Sequence, residues 1–490
     1  MILRKITFAL SIVFLLAACS GETPIENKEL KEYFSSYLND NESVVGFGNA
    51  KIKDILNKAQ YEKVKMLDAI VGGQLETFEG MINLNGPVYY AANGPLNRDA
   101  APEEIVLFIE VLDEANLKSH LSSEMGYDLN EAKGFSYTSD GDMAMGIREN
   151  LVIIIIKPGN YDEKAFFKKA FERVDGEASS GDVAKLLKQD DGDIVVAMNI
   201  GNFIENSGRG MEGIPEPQMK EMKKLFDGAI VNTKVKFEDG KAVIQTENIF
   251  GNKLMDKMFF EKDPTTEVIS HLGGGEPAAG FSMNIDVQKM ETFMEDIHPQ
   301  AMNKIGGMQY VGMKLMAGAN DLGEVIDGKA GVLFFVPKDG ETDKSKMMNL
   351  YLGLESKGEK LIETATSTFG EMLPPDLPAY KFEDGGLSVL GNSANASSRL
   401  VLPSVASDFG KSGINFFVNL EGLQAKDLEA MFKMKGLGPT LKVAKSVSFQ
   451  YNNSGGELVI TAKKGQENIL KQALEAAVSD ISELMGGVSF

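Results

Sequence analysis

Four short apolar segments, each ending at an asparagine, constrain the fold of this chain more than any other sequence feature. They lie at 44–49, 194–199, 279–284 and 414–419, and a stretch with helical spacing follows each of them. An asparagine side chain can accept hydrogen bonds from the free amides at a helix start, and it tolerates turn conformations. Each segment is therefore predicted to be a strand that runs directly into an amphipathic helix.

A tight polar turn alternates with these segments. Asp-Gly occurs in three such turns, at 139–141, 238–240 and 383–385, and the fourth turn, at 453–455, is Asn-Ser-Gly. Asp-Gly between alternating apolar residues predicts a β-hairpin because both turn positions need positive φ. The order of the segments and turns predicts two tandem related halves. A chance similarity among strand–helix units is the alternative.

The predicted fold class is α+β, with two tandem related halves that each form a mostly antiparallel sheet with helices packed on one face. The hydrophobic content of 43% is enough to form full cores and does not fit a disordered stalk. The predicted boundaries are a lipoprotein signal peptide at 1–18, a lipidated cysteine and tether at 19–40, a first half at 41–262, a glycine-rich linker at 263–276 and a second half at 277–490.

The chain begins with the pattern of a bacterial lipoprotein. Two basic residues precede a short apolar run over 6–18, and Leu-Ala-Ala-Cys at 16–19 has the form of a lipobox. A membrane-spanning helix takes about 20 residues, so this run is better explained as a signal peptide. We predict cleavage between Ala18 and Cys19 and lipidation of Cys19, whose acyl chains would anchor the protein. An ordinary secretory signal that ends in cysteine is the alternative.

Ser20 follows the cysteine, where an aspartate would favour retention in the inner membrane, and no acidic cluster typical of surface export comes next. We therefore predict an outer-membrane protein that faces the periplasm, with the cell surface as the alternative orientation. The formal net charge of −21 argues against nucleic acid and anionic lipid surfaces as partners. Cys19 is the only cysteine, which excludes disulfides, thiol catalysis and cysteine metal sites from the mature chain.

These features together resemble a known family. The lipobox, the total length, the early apolar strand, the segment Gly-Pro-Val-Tyr-Tyr at 86–90 and the alternating hairpins are similar to those of Bacteroidota lipoproteins known only as a domain of unknown function. The resemblance extends over almost the whole mature chain. It implies an envelope lipoprotein in a Bacteroidota-like bacterium, and it implies no catalytic residue.

Motifs that could carry chemistry are few. A G-x-G-x-x-G pattern at 208–213 follows a predicted helix, whereas a dinucleotide site needs a strand before it, so a loop is favoured. The acidic turn at 190–193 invites calcium but lacks the spacing and distal glutamate of an EF-hand, so a solvated turn is favoured. His120, His271 and His298 have no second ligand at a familiar metal spacing. We therefore predict no catalytic residue, no metal site and no cofactor.

The leading hypothesis is an outer-membrane-anchored, non-enzymatic binding or assembly component of the bacterial envelope. It would contact the membrane through the lipid on Cys19, and an envelope protein is its candidate partner. The alternative is a periplasmic carrier of a lipid or peptide held between the two halves, and an enzyme of unfamiliar type is a third hypothesis. Methionines can line adaptable apolar grooves, but core filling explains the clustered methionines more simply; these are Met302, Met308, Met313 and Met316.

Overall fold

The structure is a computed structural model that describes residues 29–97, 101–159, 161–188, 191–207, 216–261, 266–297, 314, 316–336, 347–369, 380–383, 386–391, 400–421 and 442–484. The predicted signal peptide, Ala18 and Cys19 lie outside these residues. So do the glycine pattern at 208–213, His298 and the helix expected just after 420. In the part of the chain that the structure describes, no helix is long and apolar enough to cross a membrane.

The chain divides into two compact units. Unit 1 consists of Met1–Pro215, Phe226–Asp239 and Glu467–Phe490, and unit 2 consists of Glu216–Leu225 and Gly240–Gln466. Each unit is therefore built from stretches that are not continuous in sequence.

The described strands are numbered in chain order. Those of unit 1 are β1 (Val44–Ala50), β2 (Val88–Leu96), β3 (Pro102–Glu110), β4 (Asn130–Ala132), β5 (Phe135–Asp140), β6 (Met143–Arg148), β7 (Leu151–Ile156), β8 (Ile194–Asn199) and β9 (Ile230–Glu238). Those of unit 2 are β10 (Lys241–Ile249), β11 (Ala279–Asn284), β12 (Ile326–Phe334), β13 (Met348–Leu354), β14 (Tyr380–Glu383), β15 (Gly386–Leu390), β16 (Ile414–Asn419), β17 (Ala444–Asn452) and β18 (Gly455–Ala462).

The described α-helices are numbered in the same way. Unit 1 contains α1 (Leu30–Leu38), α2 (Ile52–Ala59), α3 (Lys65–Leu67), α4 (Gly73–Thr77), α5 (Glu114–Ser123), α6 (Glu163–Val174), α7 (Gly181–Lys188) and α8 (Ile200–Asn206). Unit 2 contains α9 (Glu216–Leu225), α10 (Asn252–Met255), α11 (Thr266–Ser270), α12 (Val287–Ile297) and α13 (Ser356–Phe369), and α14 (Ile469–Leu484) belongs to unit 1.

The sheet of unit 1 has the order β9-β8-β1-β2-β3-β7-β6-β5-β4, with every neighbouring pair antiparallel. Helix α1 packs on one face, where the fully buried ring of Phe34 lies 5.0 Å from Tyr89 and 5.2 Å from Phe108. On the other face, Leu121 of α5 belongs to one core cluster with Ile154 of β7. The sheet of unit 1 is therefore covered on both faces.

The sheet of unit 2 has the order β10-β18-β17-β16-β11-β12-β13-β15-β14 and is also antiparallel between all neighbours. Strand β11 lies between β12 and β16 in this sheet. Strand β1 lies between β2 and β8 in the same way in unit 1. The core of one face joins Val268 of α11 and Leu272 to Leu333 and Phe417, all 0% exposed.

The predicted α+β class, with mostly antiparallel sheet and packed helices, is confirmed. The prediction placed helices on one face, and unit 1 has them on the second face as well. The reason is visible in β7, which is a continuous apolar strand buried through Ile155. A strand of this kind needs cover on both sides.

The unit boundaries differ from the predicted halves at 41–262 and 277–490. Strand β10 belongs to unit 2 because it pairs with β18 along 241–247. Helix α14 belongs to unit 1, where Leu474 packs against the cluster that contains Tyr61. The hairpin signal at 238–240 therefore lies at the boundary between unit 1 and unit 2.

Of the glycine-rich segment predicted as a linker at 263–276, the structure describes 266–276, and this part contributes to the unit 2 core. It contains α11 and the buried residues Val268 and Leu272. Gly275 forms a parallel bridge with Leu400, and its carbonyl accepts a hydrogen bond from Val401 N at 2.9 Å. The burial of Val268 and Leu272 places this segment in the core of unit 2, although glycines follow it.

Candidate functional site

One face of the unit 2 sheet carries an unbroken apolar row across five strands. Pairing aligns Phe281 of β11, Phe416 of β16, Phe449 of β17, Leu458 of β18 and Ile244 of β10. Residues directly opposite one another in antiparallel strands lie on the same face. All five are partly buried and keep some exposed surface.

We call this row and its two flanking rows the aromatic face. One flanking row consists of Ala279, Val418, Val447, Ile460 and Ala242, and the other consists of Met283, Ile414, Tyr451, Gly456 and Thr246. Only Tyr451 and Thr246 in these rows carry a side-chain hydroxyl, and no residue in them is charged. The aromatic face is therefore almost free of hydrogen-bonding side chains.

The reverse side of the same five strands carries both polar residues and the buried Phe417 of the unit 2 core. The neighbouring row there consists of Ser282, Asn415, Gln450, Glu457 and Gln245. Asn415 Nδ2 donates to Ser282 Oγ at 3.3 Å, and Gln245 Nε2 donates to Glu457 Oε2 at 2.9 Å. The period-two alternation of strands thus places these polar side chains on the face opposite the aromatic face.

Ring contacts extend the aromatic face beyond the sheet. Tyr451 stacks on Phe449 with 6.1 Å between centroids and meets Phe260 edge-on at 5.2 Å. Phe260 contacts Phe259 at 4.6 Å, which in turn contacts Phe293 of α12 at 5.5 Å. Aromatic pairs at these distances stabilise by about 0.5–1.5 kcal/mol each. The result is a continuous aromatic surface from β17 to α12.

A polar pair lies at this end of the aromatic face. A Cβ atom at Gly456 would come 2.7 Å from the Tyr451 ring, so only glycine lets that ring lie across β18. The Tyr451 hydroxyl therefore reaches β10, where Asn248 Nδ2 donates to it at 2.7 Å. Asn248 Nδ2 also donates to the Asn453 carbonyl at 3.2 Å, and Asn248 is 8% exposed.

In the acidic turn at 190–193, for which calcium was considered, the described residues 191–193 include two aspartates that bind lysines. Asp193 accepts two contacts from Lys58 Nζ, at 2.6 and 2.7 Å. Asp191 lies 2.8 Å from the Nζ atoms of both Lys234 and Lys236, and hydrogen bonds from these two lysines hold the pKa of Asp191 well below its usual range. Throughout the described ranges, no group of three His, Cys, Asp or Glu side chains could hold a metal ion.

The two described histidines pack as structural residues. His120 of α5 is 6% exposed, with its Nδ1 atom 3.2 Å from Glu124 Oε2 and its ring edge-on to Phe78. His271 stacks on Tyr351 with 4.6 Å between centroids. Neither forms part of the aromatic face.

The alternation of apolar residues that forms the aromatic face is visible in the sequence, whereas the pairing of its strands is not. Apolar residues alternate along β17 at Val447, Phe449 and Tyr451, and along β16 at Ile414, Phe416 and Val418. Cross-strand register sets these residues side by side, and the sequence does not specify it. Among the methionines considered for a groove, Met316 lies in the described residues and is 72% exposed.

No protein-family model matches the sequence. No curated protein matches it either. Among solved structures, TP0453 in crystal form III is 12% identical over 43% of this chain and 77% of its own, with a TM-score of 0.27. Crystal form I of TP0453 is 12% identical over 46% and 81%, with a TM-score of 0.27, and form IV is 11% identical over 42% and 76%, with a TM-score of 0.25. Scores this low do not establish a shared fold.

Proposed function

We propose that this protein is an outer-membrane-anchored, non-enzymatic binding component of the bacterial envelope, and that the aromatic face of unit 2 binds an acyl chain. The observation that carries the proposal is the apolar row from Phe281 to Ile244, which keeps exposed surface in all five residues. A contiguous apolar row that stays only partly buried in a folded protein is a candidate binding surface.

The chemistry of the aromatic face favours an acyl chain over a peptide. A peptide laid on it would bring backbone amides and carbonyls against side chains that cannot hydrogen-bond to them, at a cost of about 1–3 kcal/mol for each unpaired group. Strand addition is not available there either, because β11, β16, β17 and β18 are each paired on both sides. An acyl chain has no such groups to satisfy.

The predicted anchor supports the same interpretation. Lipid on Cys19 would hold the protein at a membrane surface, where acyl chains are abundant. No catalytic constellation accompanies the aromatic face: its residues are hydrocarbon side chains apart from one methionine and two hydroxyls. Side chains of this kind suit the binding of an apolar ligand.

The experiment is a binding titration on the predicted mature chain, produced from Ser20 so that no lipid is attached. Nile red serves as the apolar fluorescent probe, and monolaurin is the competitor. Nile red is excited with visible light, which protein side chains do not absorb, so the protein's own emission does not interfere. We expect Nile red fluorescence to rise on binding and to fall as monolaurin displaces the probe.

Adjacent residues of β18 provide a matched pair of variants. Leu458→Gln places a polar amide in the aromatic face, whereas Glu457→Gln places the same amide on the reverse side, where Glu457 is exposed. Loss of one buried leucine contact corresponds to about tenfold weaker binding. We expect that loss in Leu458→Gln and unchanged binding in Glu457→Gln. Equal binding by both variants, or no displacement by monolaurin, would refute the proposal.

A further inference from the structure

A buried asparagine, Asn248, lies at the end of the aromatic face where the head group of the proposed acyl ligand would lie. Along β10 the side chains of Ile244, Thr246 and Asn248 leave the sheet on the same side, because alternate residues of a strand share a face. Asn248 therefore continues the aromatic face beyond its flanking row. At 8% exposure, it is the buried polar residue at the Tyr451 end of that face.

The orientation of the Asn248 amide is fixed by its partners. Its Nδ2 atom donates to Tyr451 Oη at 2.7 Å and to the Asn453 carbonyl at 3.2 Å. A flipped amide would place Oδ1 against that carbonyl, and two acceptors cannot form a hydrogen bond. The oxygen of Asn248 is therefore directed away from Asn453.

That oxygen lacks a donor. Within the described ranges, Asn248 Oδ1 is buried and accepts no hydrogen bond. A buried acceptor without a donor is costly, and native proteins leave few of them. Beside it, the Tyr451 hydroxyl accepts from Nδ2 and has its own hydrogen to donate. The pair thus holds one acceptor that lacks a donor and one hydroxyl hydrogen at the end of an apolar surface.

We propose that Asn248 Oδ1 accepts a hydrogen bond from a neutral head group, an amide or hydroxyl, at the end of the acyl chain. This inference rests on the proposed function. A carboxylate head group is disfavoured because it has no hydrogen to donate and would set its charge against the Asn248 oxygen. The ligand class is therefore a neutral acyl amide or acyl alcohol, and Asn248 is its specificity-determining residue.

The test compares two competitors that share one chain and differ in the donor. Lauramide has N–H groups, and N,N-dimethyllauramide has none. Displacement of Nile red from the full mature chain should require about fivefold less lauramide than dimethyl amide, the ratio expected for one neutral hydrogen bond. Laurate should compete less well than lauramide.

Two variants assign the preference to Asn248. In Asn248→Leu the two amides should compete equally, whereas Glu457→Gln, on the exposed reverse side of β18, should retain the preference. Equal competition by both amides on the unmodified protein would overturn the inference about the head group. The proposed function would still hold, since the acyl chains of both amides would bind. A preference that survives in Asn248→Leu also overturns it. If neither amide competes, the proposed function itself fails. The comparison of lauramide with N,N-dimethyllauramide uses the unmodified protein. It therefore tests the inference even if Asn248→Leu does not fold.

Discussion

Units 1 and 2 use the same local strand order to make two different surfaces. The order β2-β1-β8-β9 in unit 1 matches β12-β11-β16-β17 in unit 2. Across these four strands of unit 1, pairing aligns one row of side chains: Tyr90, Gly48, Val196 and Thr233. Across the four matching strands of unit 2, the central row of the aromatic face continues from Val332 to Phe281, Phe416 and Phe449. One topology therefore supports both a row with glycine and small side chains and a row of phenylalanines.

The glycine in unit 1 changes how its tyrosine packs. Tyr90 extends over Gly48 and donates from its hydroxyl to the Val195 carbonyl at 3.0 Å, and a Cβ atom at Gly48 would come 2.8 Å from that hydroxyl. Burial raises the pKa of Tyr90. The Tyr90 ring thus lies over Gly48 in unit 1, a position that Phe281 fills with its own ring in unit 2, and both aromatic residues are partly buried. The shared order is consistent with a tandem repeat, which stays a prediction.

The buried asparagines of the two units also differ. Asn232 of unit 1 is 1% exposed, and neither of its side-chain polar atoms has a partner among the described residues. In unit 2, Asn415 is 0% exposed and bonds to Ser282 and to both backbone groups of Ser412. Asn415 of unit 2 thus has the hydrogen bonds that Asn232 of unit 1 lacks.

The largest expected effect separates the two faces of β16. Phe417 is 0% exposed and contacts Phe409 at 4.9 Å, so Phe417→Ala should lower the free energy of unfolding by about 3–5 kcal/mol. Phe416→Ala, on the partly exposed aromatic face, should cost about 1 kcal/mol. Denaturant unfolding of the mature chain, followed by circular dichroism, measures both. Equal losses would mean that the aromatic face is core and not a binding surface.

The next effect concerns the buried carboxylate of unit 1. Lys58→Met leaves Asp193, which is 6% exposed, without its cation, although Phe237 N still donates to it. We expect a loss of about 2 kcal/mol, less than for a fully buried pair because Lys58 is partly exposed. Lys236→Met is the control, since Asp191 keeps Lys234, and it should change the unfolding midpoint little.

A smaller effect of opposite sign is expected at Asn232. Asn232→Leu removes two buried polar atoms that have no partner in the described part of the chain, so stability should rise by about 1 kcal/mol. Asn415→Leu removes satisfied hydrogen bonds and should lower it by a similar amount. Thermal unfolding of both variants compares the signs. Two shifts in the same direction would remove the contrast between the units.

The smallest effect is a pH dependence. The lysines that lower the pKa of Asp191 stabilise the folded state above the ordinary aspartate pKa of 3.8, and this contribution is lost as pH falls through the lowered folded pKa. Because Asp191 is 57% exposed, the contribution should be below about 1 kcal/mol. Acid titration should show a shallower loss of stability in Asp191→Asn. An unchanged curve would assign the acid sensitivity to other carboxylates.

Local elements of this fold were predictable from the sequence, because their signals are local. The β5–β6 hairpin forms at its Asp-Gly turn, with Gly141 at φ 65°, and Asn199 caps α8 by accepting from Asn202 N at 3.0 Å. The same cap prediction is wrong at Asn49. Strand β1 continues through Ala50, so the side chain of Asn49 is buried in the sheet and its Oδ1 has no partner in the described residues.

Long-range features were not predictable. The pairing of β10 with β18 joins residues more than two hundred positions apart, and no spacing rule indicates which strand receives β10. The candidate site depends on that pairing, since Ile244 and Asn248 reach the aromatic face only through it. The alternation at Phe449 and Tyr451 was visible, but the neighbours of these residues depended on register.

The division of the chain has a consequence for the order in which the protein matures. Helix α14 completes the cluster around Tyr61, Val71 and Leu75 through Leu474, near the end of the sequence. All of unit 2 is synthesised before that helix. During synthesis from the amino terminus, unit 1 therefore lacks α14 until unit 2 has been made. The cluster around Tyr61 stays incomplete in the nascent chain for that time.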